Sequence, residues 1–327
     1  MEVRLVTRDG VQDHPVEDLK ALLDGDDGVV WVDIPTCDEA ATRVLTEVFR
    51  FHPRAVRDSV ERNRVPKVHV YPDHVFVVLH APQMGKSGHV HYIELDQFIG
   101  PRFLVTVHGP INPAVDPEAA AYETREVLRR LGTGRFRPTS SYELAYAVVT
   151  ALTRRLEEFI EQQTREVWQL EQRVTSGHLG DPEVFLEEMF QARHGLIVAR
   201  TMGALSREIF GRLATIGRTV PPAARPLLED MVDQFARVYG LADGQKEYLQ
   251  GVIEFYRTRS DTKMTIAAER LAVIAVVTLP VTALSSILGM NLIVNEHTHW
   301  TLLVVTIAIM VIMSGILLDW AKRQGWW

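Results

Sequence analysis

Two stretches near the end of the chain, residues 271–290 and 300–318, contain no charged side chain. Each is close to the ~20 residues a helix needs to cross the hydrocarbon core of a bilayer. A core helix of a soluble protein would need later sequence to bury it, and little follows either stretch, so both are read as membrane spans. The connection, residues 291–299, is short enough to make the spans a hairpin. Lys263 and Arg270 precede the first span and Lys322 and Arg323 follow the second, whereas the connection holds neither Lys nor Arg. Positive charge stays on the cytoplasmic side. Both termini are therefore expected in the cytoplasm, with the protein in a cell (inner) membrane.

Averaging hides this. Mean hydropathy is -0.00 over the 327 residues because a charge-poor hairpin is averaged with an acidic body. The balance of 35 basic against 42 acidic residues, net -7, excludes the basic excess of a nucleic-acid binder. Cys37 is the only cysteine, so no intrachain disulfide or multi-cysteine zinc site can form. Residues 1–8, MEVRLVTR, alternate charge with apolar residues and lack the apolar core of an export signal.

Short β-branched and aromatic runs at residues 29–34, 74–80, 94–99 and 103–108 read as strands, and residues 38–50 and 117–131 as helices. Residues 1–138 are thus expected to form an α/β domain. From Thr139 the texture becomes helical. Ser140 and Glu143 make a capping box, Gly177 to Gly180 interrupts the pattern, and Asp181-Pro182 restarts it as N-cap and first helical residue. Residues 139–220 are read as a helical hairpin and 221–270 as the start of a stalk helix. That helix continues through residues 271–290 as the first span. Its extent, from Arg225 to about Gly289, would be about 100 Å at ~1.5 Å per residue. The connection 291–299, a second span at 300–319 and a tail at 320–327 complete the chain.

The spans differ in character. Ala275, Leu279, Thr282, Ser286 and Gly289 recur at steps of three and four, giving the first span a small or polar face. A polar face in lipid is costly unless it meets another helix or water. Either it packs closely against a neighbouring helix, or it lines a water-filled path. One helix cannot enclose a path, so the second alternative requires a ring of copies. The second span is apolar almost all round, apart from Thr306 and Ser314-Gly315, as suits a helix facing lipid.

Gly289-Met290-Asn291 closes the first span at its outer end. In this position the tripeptide resembles the signature of the CorA family of divalent metal ion (magnesium/cobalt) transporters. Further segments are similar to that family: Val30-Trp31-Val32-Asp33, His52 to Asp58 with Pro66-Lys67-Val68, Phe103 to His108, and Thr278-Leu279-Pro280-Val281-Thr282. The resemblance implies a funnel-shaped homopentamer with a cytosolic α/β domain, a very long pore-lining helix and a two-helix transmembrane hairpin. It implies a selectivity filter at Gly289, Met290 and Asn291 and hydrophobic constrictions at Leu271 and Leu279. It also implies closure when cytosolic metal binds carboxylates between neighbouring domains, for which Asp230, Asp233 and Glu254 are candidates, with Glu229 and Asp243 nearby. The chain departs from the family pattern at Leu288, usually Tyr, and at Val294-Asn295-Glu296-His297, usually an acidic Met-Pro-Glu stretch.

Magnesium surrenders its water reluctantly and is held most readily as a hydrated ion. A ring of Asn291 amide oxygens would accept hydrogen bonds from that shell without stripping it. The expected cargo is Mg2+, which would also be the regulatory ion, with Co2+, Ni2+ or Zn2+ possible. The other partners are further copies of the chain and the lipid bilayer. A zinc or nickel transporter on the same scaffold, with proton coupling as one form of it, is the alternative, supported only by His297 and His299 in the connection. A membrane-anchored sensor or scaffold is a third reading, but it would need no polar stripe. No phosphate-binding Gly-x-x-x-x-Gly-Lys motif or catalytic constellation is present, so neither a nucleotide nor an enzymatic activity is expected. His89 and His91 would share one strand face.

Overall fold

The computed structural model describes residues 1–216, 220–292 and 300–323, and for residues 87, 288, 290–292 and 302 the backbone alone. The chain separates into two compact units, residues 1–252 and 253–327.

The first unit is built on a seven-stranded sheet in the order β2-β1-β3-β7-β6-β5-β4. Its strands are β1 (Glu2–Val6), β2 (Val11–His14), β3 (Val29–Ile34), β4 (Lys67–Val70), β5 (Val75–Met84), β6 (Val90–Ile99) and β7 (Phe103–His108). Every neighbouring pair is antiparallel except β3 and β7, where Val32 pairs with Val105 in a parallel ladder. A strand covered on both faces has no reason to alternate apolar with polar residues. All six residues of β3 are buried.

One face of the sheet is covered by three short helices, α1 (Leu19–Asp24), α2 (Glu39–Arg43) and α3 (Pro53–Val60). Val30, Val32, Phe76, Val78, Phe98 and Val105 pack there against Leu45, Phe51, Ala55 and Val56. The Phe51 and Phe98 rings stack 4.2 Å apart. Residues 38–50 are not one regular helix: α2 ends at Arg43 and passes into a wider turn at Val44–Val48.

The opposite face meets the long helices α6 (Ser141–Ser176) and α7 (Pro182–Thr215). Residues 117–131 resolve into two helices, α4 (Pro117–Ala120) and α5 (Tyr122–Gly132). Ser140 caps α6 by accepting from the Glu143 amide at 3.2 Å, while the Glu143 carboxylate accepts from the Thr139 amide at 2.6 Å. Gly177 ends α6 in the left-handed region, φ 80, where glycine pays no steric penalty. Asp181 caps α7 through the Glu183 amide at 2.8 Å. Buried Arg155 joins the layers, donating to Glu123 at 3.0 Å, to the Ala119 carbonyl at 2.8 Å and to Gln83 at 2.8 Å.

Two buried carboxyls meet opposite fates in this sheet. Asp33 accepts from Thr106 at 2.5 Å and pairs with His108 Nε2 at 3.0 Å, while His108 Nδ1 donates to the Ala120 carbonyl at 2.8 Å. Burial opposes the charge of Asp33, but His108, Thr106 and Thr124 together hold its pKa below the usual carboxylate range. Asp96 lies on the other face, fully buried, and among the described residues neither of its oxygens has a hydrogen-bond partner. The Ser59 hydroxyl beside it donates instead to the Ala55 carbonyl, at 3.3 Å. Burial first, and then the charge of Glu94, push the Asp96 pKa well above the usual range. The folded protein thus keeps the Asp96 proton over a pH window in which the unfolded chain releases it. Its stability contribution is full below the ordinary carboxylate pKa and falls as pH rises toward the folded value.

Asp96→Asn removes this dependence. In thermal unfolding of the full chain, the gain of the variant over wild type should grow from pH 5 to pH 8. Each kcal/mol of ionisation cost removed corresponds to roughly 2–4 °C in the midpoint. An offset identical at both pH values would refute the assignment.

The second unit contains the C-terminal part of α8 (Arg225–Leu292) and α9 (Trp300–Arg323). α8 runs for 68 residues with Pro280 in its interior.

Candidate functional site

Both α8 and α9 are long and apolar enough to cross a membrane, and almost none of either apolar stretch is covered by the rest of the chain. On α8, Leu271, Ala275, Leu279, Thr282, Ser286 and Gly289 fall within an arc of about 80° at ~100° per residue. Leu271 and Leu279 are each 67% exposed, Thr282, Ser286 and Gly289 are exposed, and Ala275 is half-buried. The covered residues are Val273, which is buried, and Val276, Val277, Pro280, Val281 and Leu284, which are half-buried. They centre about 170° away on the helical wheel. The stripe thus points away from whatever this chain packs on α8. Ile274, beside the stripe, is apolar and uncovered and suits lipid.

α9 has a covered stripe of its own, in which Leu303, Met310, Met313 and Leu317 are half-buried and Thr306 and Ala321 are buried. Thr306, the polar exception in the second span, therefore lies on its covered side. Val304, Val305, Ile307, Val311, Ile312 and Ile316 are more than half exposed, as a lipid-facing surface requires.

The hydroxyls of α8 are committed in a particular direction. Thr278 donates to the Ile274 carbonyl at 2.8 Å, and Thr282 to the Thr278 carbonyl at 2.7 Å. A hydroxyl has one proton and two lone pairs. With its proton spent on the backbone, Thr282 presents only acceptor capacity to whatever stands before the stripe.

The helix includes the tripeptide, since α8 continues to Leu292. Gly289 is exposed, and a Cβ there would meet nothing within 4 Å. The side chains of Met290 and Asn291 lie outside the described residues, as does the connection with Glu296, His297 and His299.

The candidate regulatory carboxylates are placed on α8 but not gathered. Asp230 Oδ2 accepts from the Tyr146 hydroxyl and from Gln234 Nε2, both at 2.6 Å. These two hydrogen bonds, Tyr146 first, hold the Asp230 pKa below the usual range. Gln234 is fixed in turn by Thr153, which donates to its Oε1 at 2.7 Å. Asp233 and Glu254 are exposed. Asp243 is engaged within the chain, by Arg200 at 2.7 Å and Lys246 at 2.8 Å. Among the described residues, no group of three or more His, Cys, Asp or Glu side chains is arranged to hold a metal ion. The Tyr146 contact was not legible in the sequence, because it crosses from α6 to α8.

A helix that ends in uncovered apolar surface, with one polar stripe kept on it, has the form of a membrane-spanning segment. A family model described as CorA-like Mg2+ transporter protein matches residues 26–323, and the chain belongs to this family of divalent metal ion transporters. It is 21% identical over 305 residues to YfjQ of Bacillus subtilis (strain 168), a protein named as a candidate metal ion transporter, covering 90% of this chain and 89% of the relative. It is 24% identical over 289 residues to the cobalt/magnesium transport protein CorA of Thermotoga maritima, covering 86% of this chain and 78% of the relative. The complete structure of the CorA magnesium transporter from Methanocaldococcus jannaschii shares the fold at a TM-score of 0.79 and 15% identity, covering 100% of this chain and 98% of that one.

The two sides of α8 can be told apart chemically. In a Cys37→Ser background, single cysteines at Thr282 and Ser286 should react with a charged, water-soluble thiol reagent in membranes. Cysteines at Val277, Val281 and Leu284 should react at least tenfold more slowly. Equal reactivity on both sides would contradict the stripe.

Proposed function

We propose that the protein carries hydrated Mg2+ into the cytoplasm, driven by the membrane potential, through a pore enclosed by a ring of its own copies. The uncovered acceptor stripe of α8, running to Gly289-Met290-Asn291, supports this reading most directly. A polar stripe opposite the covered side of a membrane helix needs a further partner, and in a closed ring each copy supplies the same surface. The family resemblance favours a pentamer. Co2+, Ni2+ or Zn2+ would pass by the same chemistry, and Met290 in the tripeptide favours magnesium and cobalt. No catalytic step is involved.

The outward water hydrogens of a hydrated dication would meet acceptors: the Asn291 amide oxygens at the outer mouth, then the Ser286 and Thr282 oxygens. Binding of this kind is weak enough to permit release. Leu279 and Leu271 would form apolar rings further in, which exclude water when narrow and so act as the gate. With both termini in the cytoplasm, the drive is ~2.3 kcal/mol per charge per 100 mV, or about twice that for a dication.

Such a drive calls for a brake. Asp230, Asp233 and Glu254 would hold Mg2+ between neighbouring copies, each chain supplying part of a site that one chain does not complete. Tyr146 and Gln234 keep Asp230 ionised and ready.

In proteoliposomes with an inside-negative potential, Asn291→Ala should reduce Mg2+ uptake to background, and undiminished uptake would overturn the role of Asn291. Regulation has its own readout. Millimolar Mg2+ should slow proteolysis of the wild-type protein severalfold and protect an Asp230→Asn/Glu254→Gln variant much less; a variant protected as well as wild type would exclude these carboxylates.

A further inference from the structure

Two histidines meet at the tip of the β5–β6 hairpin. β6 begins at Val90, and His89 just before it has an extended backbone, φ -73 and ψ 137. His89 and His91 therefore project from the same face of the hairpin. On β5, Gln83 stands opposite His91, and the Gly85 amide donates to the His89 carbonyl at 2.7 Å. A Cβ on Gly85 would lie 2.4 Å from His91 Nε2, so the His91 ring occupies space that a side chain would need. The two imidazole rings stand 5.1 Å apart, centroid to centroid, with their planes at 75°. The Asn112 side-chain amide meets His91 Nδ1 at 3.3 Å and steadies that ring. His89 is exposed and His91 half-buried, so an ion can reach the pair from solvent.

We propose that His89 and His91 form a two-nitrogen site for a first-row transition dication such as Ni2+, Co2+ or Zn2+. A metal–imidazole bond of ~2.1 Å puts each ring centroid about 3.2 Å from the ion, and a tetrahedral angle then sets the centroids about 5.2 Å apart. The observed 5.1 Å matches that separation, and binding requires the two ring nitrogens to turn toward a common point. Imidazole nitrogen suits zinc, nickel and copper, whereas Mg2+ takes oxygen ligands and keeps its water. The pair therefore selects against magnesium. Water completes the coordination, since the described residues offer no third ligand of the usual kinds here. A bound ion clips His89 to His91 along one strand and fixes the start of β6 where the chain leaves the turn. The site belongs to the sheet domain and requires nothing of the α8 stripe.

The test uses the full chain in detergent with His297 and His299 replaced by Ala, so that this other close-spaced pair contributes nothing. Ni2+ is titrated calorimetrically in the presence of millimolar Mg2+. The parent should bind one Ni2+ per chain, and His89→Ala or His91→Ala should abolish that binding. Gly85→Ala keeps both imidazoles but fills the space they use, and it should weaken binding by roughly tenfold, the scale of effects from groups that orient metal ligands. Hydrogen exchange across residues 85–91 should slow on adding Ni2+ to the parent and not to His91→Ala. Ni2+ stoichiometry and affinity unchanged by both histidine substitutions would overturn the site, as would displacement of Ni2+ by millimolar Mg2+.

Discussion

Inside hydrocarbon a peptide group has no water to bond, so each backbone donor and acceptor must be met within the helix. α8 meets this constraint in its apolar stretch with an exception at Pro280, and the threonines beside that exception shape its exposed stripe. Pro280 removes the one amide that would have reached the Val276 carbonyl. The threonines on either side turn their protons inward, Thr278 to Ile274 and Thr282 to Thr278. Donors are thereby consumed along the axis and lone pairs remain on the outer side. In the proposed pore a preference for cations would arise from these hydroxyl protons, without any carboxylate between Leu271 and Leu292.

The sheet domain meets the same problem in a different solvent. There, Asp33 is paired with His108 on one face, and Asp96 is left as a neutral acid on the other. Asp33 contributes stability above the ordinary carboxylate pKa that is lost as pH falls through its depressed folded value. Burial alone would lower the His108 pKa, but the hydrogen bond and charge of Asp33 raise it, so its contribution is lost as pH rises through that value. Asp96 also loses its contribution on the rising side. The fold is thus limited from both directions, with its optimum where Asp33 is ionised and His108 and Asp96 are protonated. Because the Asp33–His108 pair ties β3 to β7, the only parallel ladder in the sheet, either limit loosens the same junction.

What could be read from residues alone depended on how far apart the interacting partners lie. The central strands β3 and β7 were legible because burial on both faces leaves a continuous apolar run. β1, β2 and β4 are short and lie toward the sheet edges, and their mixed sequences carry no such signal. The caps Ser140 and Asp181 were legible because a cap and its amides are neighbours in sequence. Periodicity likewise revealed the α8 stripe. The hydroxyl that fixes Asp230 was not legible, since Tyr146 is 84 residues away. Arg155 also gave no signal, because its partners Gln83, Ala119 and Glu123 come from separate elements. Asp243, one of the candidate regulatory carboxylates, is held instead by Arg200 from α7 and by Lys246.

The positions of the leucines bear on how the proposed pore separates its two tasks. Leu279 lies about 18 Å along α8 from Asn291, and Leu271 about 12 Å further. An ion at the tripeptide is therefore more than two helical turns from the nearest apolar ring. Recognition at Asn291, as proposed, would depend on oxygen lone pairs facing a water shell, which requires a fixed distance. Closure at Leu279 depends on the width below which water leaves, which requires a variable one. A helix that placed both functions on one turn would lose discrimination whenever it opened. In the proposed pore, metal held at Asp230 or Glu254 would alter the spacing of the leucines while the outer turn kept its geometry, so that conduction would be regulated without relaxing the choice of ion.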